Sequence, residues 1–382
     1  MAILPSQRHR FDLPADVVYL NCAYMSPMAH EVAEACHAGI DRKRRPWLVK
    51  PADFFSATEA ARTAFAGLLG GPATPNDVAL VPAASYGMAV AAANLPIGPG
   101  RRVLMMEAEF PSTILTWRDR ARETGGDFHL VPRPADHDWT AALLAAIDER
   151  TAVAALPACH WIDGSLVDLV RIGARLREVG AALVLDLTQS LGVQPFPLAA
   201  VDPDFLVVAG YKWLMAPYST GFLFVAPRHH EGRPIERSWF ARAGSENFGG
   251  LIDYPEAYQP GARRFDVGEP SNFGLLPGAT AALGMIAAWG VPSVAETVGA
   301  LAARVVAMAE ERRLECVPAG LRAAHYASLR APGGFPADLA DRLARERVYA
   351  SIRGGTVLRV TPQVYNEAAE VDRLFAVLDQ AS

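Results

Sequence analysis

Short apolar runs recur between residues 78 and 225 and predict a series of buried strands. They are Val78–Pro82, Arg102–Met106, Asp127–Val131, Ala152–Leu156, Ala182–Asp186, Phe205–Ala209 and Gly221–Val225. Several are continuous rather than alternating, which is typical of strands covered on both faces. Helical patterns lie between most of them: in Leu166–Val179 the apolar side chains form one stripe, and Gly180 follows as a helix C-cap would. Strands that alternate with helices predict an α/β domain with a mostly parallel sheet.

The last two predicted strands differ from the rest in their connection. The loop between Phe205–Ala209 and Gly221–Val225 is too short to hold a crossover helix. We therefore expect these two strands to be antiparallel neighbours. Lys212 lies in the loop that joins them.

The character of the sequence changes after Arg228. Residues 229–278 are rich in Gly, Pro, Arg and aromatic residues and show little periodicity. Helical or strand patterns then return at Ala279–Trp289, Val294–Arg313, Val348–Ile352, Val357–Val360 and Glu367–Leu378. The length also favours more than one domain. We predict an N-terminal segment over 1–20, a large domain over 21–255, and a small C-terminal domain with an interdomain helix over 256–382.

Composition and charge exclude several classes of function. The chain is 51% hydrophobic and 20% charged, with a net charge of −5. It therefore lacks the excess of positive charge that is typical of proteins that bind nucleic acid. No apolar run has the length of a membrane span, and the N-terminus lacks a signal-peptide core, so we expect a cytoplasmic protein. The four cysteines are scattered, and the His229-His230 pair has no carboxylate or cysteine spaced to complete a metal shell. No metal site is predicted.

Lysine is rare in this chain and one lysine has an unusual position. Lys43 and Lys50 share a polar, basic stretch, whereas Lys212 follows an apolar strand, and the remaining 33 of the 36 basic residues are arginine. An ammonium group can lose its proton when desolvated and become a nucleophile, which a guanidinium does not do. Lys212 is therefore either a Schiff-base lysine or a lysine that extends its ammonium to water along an apolar surface.

Other chemical groups occur at the predicted strand ends, where open α/β sheets bind ligands. Residues 83–89 form a small-residue turn that opens a helix, and its backbone N–H groups with the Ser85 hydroxyl suit a phosphate. Phe110 follows the 102–106 strand, and Asp186 ends the 182–186 strand. A carboxylate in such an apolar setting needs a cationic partner, which is either Lys212 or a protonated heterocycle nitrogen.

Pyridoxal phosphate requires all of these groups together. It needs an amine for its aldehyde, a carboxylate for its pyridine nitrogen, a phosphate cradle, and an aromatic ring against its face. Each group alone has a structural explanation, but their order on successive strand ends makes pyridoxal phosphate the leading hypothesis.

The segments 181–192 and 209–214 resemble the class V aminotransferase family, which includes kynureninases, cysteine desulfurases and isopenicillin N epimerases. The likeness runs from Tyr19–Ala23 to Thr361–Asn366, and its most specific part is Asp-x-x-Gln followed by x-Lys-x-x. The resemblance implies an α/β enzyme of fold type I, with a mostly parallel seven-stranded sheet and a smaller α+β C-terminal domain. It also implies a homodimer with shared active sites.

The resemblance assigns cofactor contacts position by position. It makes Lys212 the catalytic Schiff-base lysine, Asp186 the partner of the pyridine nitrogen, and Gln189 the contact of the ring hydroxyl. The other implied contacts are Ser85 and Tyr211 at the phosphate, Tyr86 in the same turn as Ser85, Phe110 on the ring, Trp239 near the phosphate, and Ser271 or Asn272 at the partner subunit's phosphate.

Substrate contacts follow from the same resemblance. Arg359 matches the family arginine that binds the substrate α-carboxylate, and a guanidinium fork suits that group. Asn21, His160 and Trp161 are further candidates, although His160 is equally consistent with a core histidine. Residues 350–356 hold no cysteine where desulfurases carry their nucleophile, which disfavours sulfur transfer.

The expected activity is a pyridoxal-phosphate reaction on an amino acid, with transamination favoured on the family's prevalence. The alternatives are a β-lyase or kynureninase-like C–C or C–S cleavage and, less favoured, epimerisation. A non-enzymatic sensor on the same fold would be expected to lack Lys212 or Asp186, and both are present.

Overall fold

The computed structural model describes residues 3–380. Its strands are β1 Val18–Tyr19, β2 Val78–Val81, β3 Arg102–Met106, β4 Asp127–Val131, β5 Thr151–Pro157, β6 Ala182–Asp186, β7 Phe205–Ala209, β8 Gly221–Val225, β9 Glu315–Cys316, β10 Ala327–Arg330, β11 Val348–Tyr349, β12 Ser351–Arg353 and β13 Val357–Val360. Its α-helices are α1 His30–Lys43, α2 Pro51–Leu69, α3 Ala84–Asn94, α4 Pro111–Thr124, α5 Trp139–Ala146, α6 Leu169–Glu178, α7 Leu198–Val201, α8 Leu276–Trp289, α9 Val291–Glu311, α10 Leu339–Arg345 and α11 Ala368–Asp379.

The seven predicted apolar runs form one seven-stranded sheet in the order β2-β8-β7-β6-β5-β3-β4. Every adjacent pair is parallel except the two that involve β8, which is antiparallel to both β2 and β7. This confirms the expected antiparallel pairing of the last two strands. Because β2 and β7 both run against β8, the carboxyl ends of β2, β3, β5, β6 and β7 meet at one edge of the sheet.

The sheet is buried on both faces, as its continuous apolar runs predict. Leu104, Leu185 and Leu206 point into one hydrophobic cluster with helices α2, α6 and α8. Val103, Val184 and Val207 point into another, which includes side chains of α3 and α4. The α/β layering predicted from the sequence is therefore the observed one.

A second unit is built around the four-stranded sheet β12-β13-β10-β9, and β1 pairs in parallel with β11 beside it. The N-terminal segment is thereby attached to the C-terminal unit, and the bridge between Asn21 and Thr361 continues this pairing. The predicted boundary between residues 255 and 256 stays a prediction. Asp266 contacts Arg62 and the Leu80 amide, which ties the stretch after that boundary to the large sheet.

Helix α9 requires a correction to the sequence analysis. With 21 residues and a mean hydropathy of 1.3 in its best window, it is long and apolar enough, by length and composition alone, to cross a membrane. Charged residues interrupt its pattern, so no unbroken apolar run is visible in the sequence. Its buried residues Val294, Val298 and Val305 pack in hydrophobic clusters shared with both ends of the chain, as the residues of a core helix do.

Candidate active site

The carboxyl ends of the parallel strands enclose a cavity of about 280 Å³. Of the residues predicted to hold the cofactor or substrate, seven line it: Ser85, Phe110, Trp161, Asp186, Gln189, Tyr211 and Lys212. A larger hollow of about 390 Å³ lies near α6 and contains none of the predicted residues. We therefore take the cavity at the strand ends as the candidate active site.

Lys212 lies in the loop after β7 and is only 7% exposed. Its Nζ atom is 5.3 Å from the centre of the Phe110 ring and 5.6 Å from that of Tyr211, and its side chain forms no hydrogen bond or ion pair with another residue of 3–380. Burial lowers the pKa of Lys212 to about 8; the charge of Asp186 opposes this shift and that of Arg359 adds to it. A substantial fraction of this amine is therefore neutral, and nucleophilic, in mildly alkaline solution.

Asp186 ends β6 and faces the same cavity. Burial raises the pKa of its carboxyl group, whereas hydrogen bonding to Thr188 and the charge of Lys212 lower it. The Thr188 amide donates to Oδ1 at 2.9 Å. Asp186 and Lys212 form no direct ion pair, although both belong to the part of the chain that the structure describes. The cavity that both line leaves the carboxylate accessible to a different cation, as a bound heterocycle nitrogen would require.

The first turn of α3 borders the cavity through Ala83, Ala84 and Ser85. No side chain caps this helix, and the amides of Ala84 and Ser85 donate no hydrogen bond within residues 3–380. Such amides at a helix N-terminus attract an anion. The exposed Ser85 hydroxyl adds a donor beside them. This arrangement matches the predicted phosphate cradle.

Aromatic side chains form another part of the wall. Phe110 precedes the first residue of α4 and meets the Trp161 ring edge-on, with 5.6 Å between the ring centres. Tyr211 lies against Tyr218, with 4.6 Å between ring centres. Phe110 therefore lines the cavity, and its stacking on the cofactor stays a prediction.

Gln189 is buried, and both ends of its side chain are engaged. Its Nε2 donates to the Ala23 carbonyl at 3.1 Å, and its Oε1 accepts the Trp213 indole N–H at 3.0 Å. One amide proton is left for a ligand. The predicted contact with the cofactor hydroxyl would use that proton or the second lone pair of Oε1.

Arg359 lies on β13 and is 1% exposed. Its Nη1 donates to the Trp161 carbonyl at 2.8 Å, whereas Nε and Nη2 are buried without a partner. Asn21 lies nearby, where its Oδ1 accepts the Ser351 hydroxyl at 2.7 Å. A buried guanidinium with free donors is suited to binding an anion.

Several predicted residues do not line the cavity in this subunit. The Tyr86 hydroxyl donates to the Asp266 carbonyl at 3.4 Å, and Trp239 packs against Phe55 and Phe248 beside a separate hollow. The Asn272 side-chain oxygen accepts hydrogen bonds from the amides of Gly274 and Leu275, just before α8. Ser271 directly precedes Asn272. The roles assigned to these residues remain predictions.

His160 occupies a core position rather than the cavity wall. It is fully buried and stacks on Trp139, with ring centres 5.7 Å apart. Burial, assisted by the charge of Arg133, lowers its pKa to about 4, so the imidazole is neutral. The structure thus favours the core-histidine alternative that the sequence left open.

Sequence reasoning missed Glu109, a cavity residue that directly precedes Phe110. Its Oε1 accepts the Phe110 amide at 2.7 Å, and its Oε2 is buried without a partner. Burial, with the charge of Asp186, raises the pKa of Glu109 to about 8. The sequence feature that could have identified Glu109 is its position beside Phe110, after the end of strand β3.

Comparison with known proteins identifies relatives of this chain. The family model described as Aminotransferase class-V matches residues 49–374. An uncharacterized aminotransferase, YcbU, of Bacillus subtilis is 27% identical over 82% of this chain and 81% of its own length. A kynureninase of Deinococcus radiodurans and an isopenicillin N epimerase of Streptomyces clavuligerus are each 27% identical over 71% of this chain, which spans 66% and 65% of their lengths.

Solved structures share the fold at lower identity. An apo cysteine desulfurase from Thermococcus onnurineus NA1 has a TM-score of 0.86 at 19% identity, covering 100% of this chain and 99% of its own. A C-DES variant with glycine covalently linked to its pyridoxal phosphate has a TM-score of 0.87 at 19% identity, covering 98% and 100%. These comparisons confirm the resemblance and the fold predicted from the sequence.

The site's own groups fit pyridoxal phosphate. An unpaired amine, a carboxylate not paired with it, free helix amides and an aromatic face border one cavity. Lys212, Asp186, the first turn of α3 and Phe110 would hold the cofactor.

Proposed function

The chain belongs to the class V aminotransferase family, a family of pyridoxal-phosphate enzymes, and we propose that it transfers the amino group of an amino acid to a 2-oxo acid. The observation that carries this proposal is Lys212, a buried amine with a lowered pKa that faces Asp186 across a cavity. The Bacillus subtilis relative, matched over 82% of the chain, is named an aminotransferase, which favours this reaction.

Lys212 has two tasks in this proposal. Its Nζ would hold the cofactor when it is bound, and the same Nζ would act as the base that takes the proton from the substrate Cα. Bound pyridoxal phosphate supplies the electron sink that makes this proton acidic. Because Nζ lies between the Phe110 and Tyr211 rings, away from bulk water, it can hold the proton until it is returned.

Arg359 and Asn21 are proposed to orient the substrate. The free Nε and Nη2 donors of Arg359 would bind the α-carboxylate as a fork. Trp161 connects this site to the cavity, because its carbonyl accepts a hydrogen bond from Arg359 and the residue also lines the cavity wall. Fixing the carboxylate sets which Cα bond faces Lys212.

The cysteines argue against a desulfurase-like sulfur carrier. The hairpin over 350–356 has none. Cys159 borders the cavity, but its side chain is fully buried and burial raises its pKa, so the thiol stays protonated. A buried, protonated thiol is a poor nucleophile.

A homodimer is also part of the proposal. Large apolar side chains are exposed on two neighbouring segments, which include Trp47, Ile252 and Tyr254, each at least 76% exposed. The contact between Phe54 and Phe248, 5.4 Å between ring centres, brings these segments together. An exposed apolar patch of this kind marks an interaction surface, and the family resemblance makes a second copy its occupant.

The proposed function is tested with the protein reconstituted with pyridoxal phosphate. The wild type should absorb in the visible region, and borohydride reduction followed by mass spectrometry should place the cofactor on Lys212. Lys212→Ala should lose the visible band and lower the rate of amino-group transfer by about 10²-fold or more. Lys50→Ala, at an exposed lysine, is the matched control and should leave both intact.

The products decide between the reactions. Repeated turnover to a 2-oxo acid only when an acceptor 2-oxo acid is supplied, with at most one equivalent per active site without it, supports transamination. Release of pyruvate with ammonia or sulfide, without an acceptor, would replace it with a β-lyase. A colourless wild-type protein would overturn the cofactor assignment as well.

A further inference from the structure

A second arginine, Arg353, stands beside Arg359 on the small sheet. Strands β12 and β13 are antiparallel, with Ser351 opposite Arg359 and Arg353 opposite Val357. Residues directly opposite, and residues two apart on one strand, point to the same face of a sheet. Arg353 and Arg359 are therefore diagonal neighbours on one face, with Ser351 between them.

Both guanidinium groups contact Trp161, the residue that connects them to the cavity. Arg359 donates to the Trp161 carbonyl at 2.8 Å, and the Arg353 guanidinium lies 5.6 Å from the centre of the Trp161 ring. Trp161 in turn lines the cavity and touches Phe110. The two charges thus lie behind Trp161, which separates them from the cavity.

Neither arginine has an anionic partner among residues 3–380. The hydrogen bond of the Arg353 side chain is a long one, 3.4 Å from Nη2 to the Ser351 hydroxyl, and its Nε is buried without a partner. Arg62, which is buried like Arg359, does have an anionic partner, because it forms an ion pair with Asp266. An unpaired cation away from water is costly, so the buried Arg359 and the half-buried Arg353 side by side indicate a ligand with matching negative charges.

The electrostatics of the pair support this reading. Burial, together with the charge of Arg359, lowers the pKa of Arg353. The two groups repel each other in the empty protein, and an anion between or beside them removes that repulsion.

We propose that Arg353 binds a carboxylate on the side chain of the substrate, so that the enzyme acts on an acidic amino acid such as aspartate or glutamate or on the corresponding oxo acid. The inference rests on the proposed function, in which Arg359 binds the α-carboxylate. Arg353 is then the residue that determines specificity. An oxo-acid acceptor with a second carboxylate would use the same contact, because both half-reactions occur in one site.

The test compares acids with their amides in the reconstituted enzyme. The change of the cofactor's visible spectrum is followed with L-glutamate against L-glutamine and L-aspartate against L-asparagine, which differ only in the side-chain charge. For at least one pair, the wild type should prefer the acid in kcat/KM by about tenfold or more, the value of a charged hydrogen bond. Arg353→Gln should bring that ratio to within about threefold of one, and Arg353→Lys should retain part of it.

Two further variants make the outcome specific. Arg359→Gln should weaken the acid and the amide alike, since both carry the α-carboxylate. Arg345→Gln removes the same charge from an exposed position on α10 and should leave the ratio unchanged. A wild type with equal activity on acids and amides, or an Arg353→Gln variant that keeps the full preference, overturns this inference alone. A cofactor-loaded wild type that reacts with no amino acid overturns the proposed function with it.

Discussion

Lys212 shows why one residue type was retained at one position in a chain that otherwise uses arginine. Its loop places the amine in an apolar pocket that desolvates the charged form, and Asp186 only partly offsets this cost. A guanidinium there would stay protonated and could not attack a carbonyl. The chemistry therefore depends on the burial of the side chain as much as on its identity.

The burial of Lys212 predicts an unusual pH dependence for the chemical acetylation of this lysine. In the cofactor-free protein, acetylation of Lys212 by acetic anhydride should rise with a midpoint near pH 8, because the amine reacts only when neutral and its pKa is lowered to about 8. Peptide mass spectrometry reports Lys212, Lys43 and Lys50 in the same digest. A midpoint for Lys212 equal to that of the two exposed lysines would contradict the prediction.

Asp186 gives this experiment its control. The carboxylate raises the pKa of Lys212, so Asp186→Asn should move the midpoint of Lys212 labelling to lower pH. An unchanged midpoint would show that the two groups do not interact across the cavity.

At the scale of elements, the edge strand β2 is fixed by residues far away in the sequence. The Leu80 amide donates to Asp266 at 2.8 Å, and the Val267 amide donates to the Leu80 carbonyl at 3.0 Å. Arg62 of α2 pairs with Asp266 and also donates to the Val78 carbonyl. These contacts cover the open edge of the sheet and hold the strand that leads into the phosphate cradle.

The buried Arg62–Asp266 pair should therefore contribute to both stability and cofactor binding. Arg62→Met leaves Asp266 buried without its partner and should lower the free energy of unfolding by about 3–5 kcal/mol, measured by denaturant titration. The double variant Arg62→Met/Asp266→Asn keeps an acceptor for the Leu80 amide and removes the unpaired charge, so it should lose less. A double variant as unstable as the sum of the two single variants would show that the pair is not coupled.

The sheet was predictable from sequence because its strands are short continuous apolar runs between turns. Phe205–Ala209 and Gly221–Val225 match the observed bounds of β7 and β8. The helix predicted from Leu166 begins instead at Leu169, because Leu166 bridges Cys159 and the Asp168 side chain caps the helix. A single apolar stripe does not show where strand-like pairing gives way to the helix.

The site was predictable where local signals and the family resemblance agreed, as for Lys212, Asp186 and Phe110. Arg353 was missed because a basic residue in a polar hairpin has no distinctive local pattern. Its importance lies in the register that sets it beside Arg359 and in the absence of a carboxylate partner within the described residues. Glu109 was missed for a similar reason, since its burial depends on packing that adjacent residues do not determine.

At the scale of the molecule, the exposed patch of Trp47, Ile252 and Tyr254 predicts the surface of self-association. Sedimentation velocity should show a dimer for the wild type, and Trp47→Glu should weaken dimerisation by about tenfold or more, because a buried aromatic residue contributes strongly to an interface. Cofactor affinity should fall in parallel, since Ser271 or Asn272 is predicted to reach the partner's phosphate.

Val170→Glu is the matched control for this change. Val170 is an exposed apolar residue on α6, away from the patch, and its substitution should leave the dimer intact. A monomeric wild type would contradict the proposed homodimer. A Trp47→Glu variant that remains fully dimeric would place the interface elsewhere.

The small four-stranded sheet has a consequence for how this enzyme can change over time. All four of its strands lie within residues 315–360, whereas Phe110, Asp186 and Lys212 come from earlier in the chain. The two arginines proposed to bind the substrate carboxylates and the groups proposed to hold the cofactor are thus encoded in separate stretches. If Arg353 selects the substrate as proposed, substitutions in the hairpin that carries it would change the preferred amino acid without touching Phe110, Asp186 or Lys212.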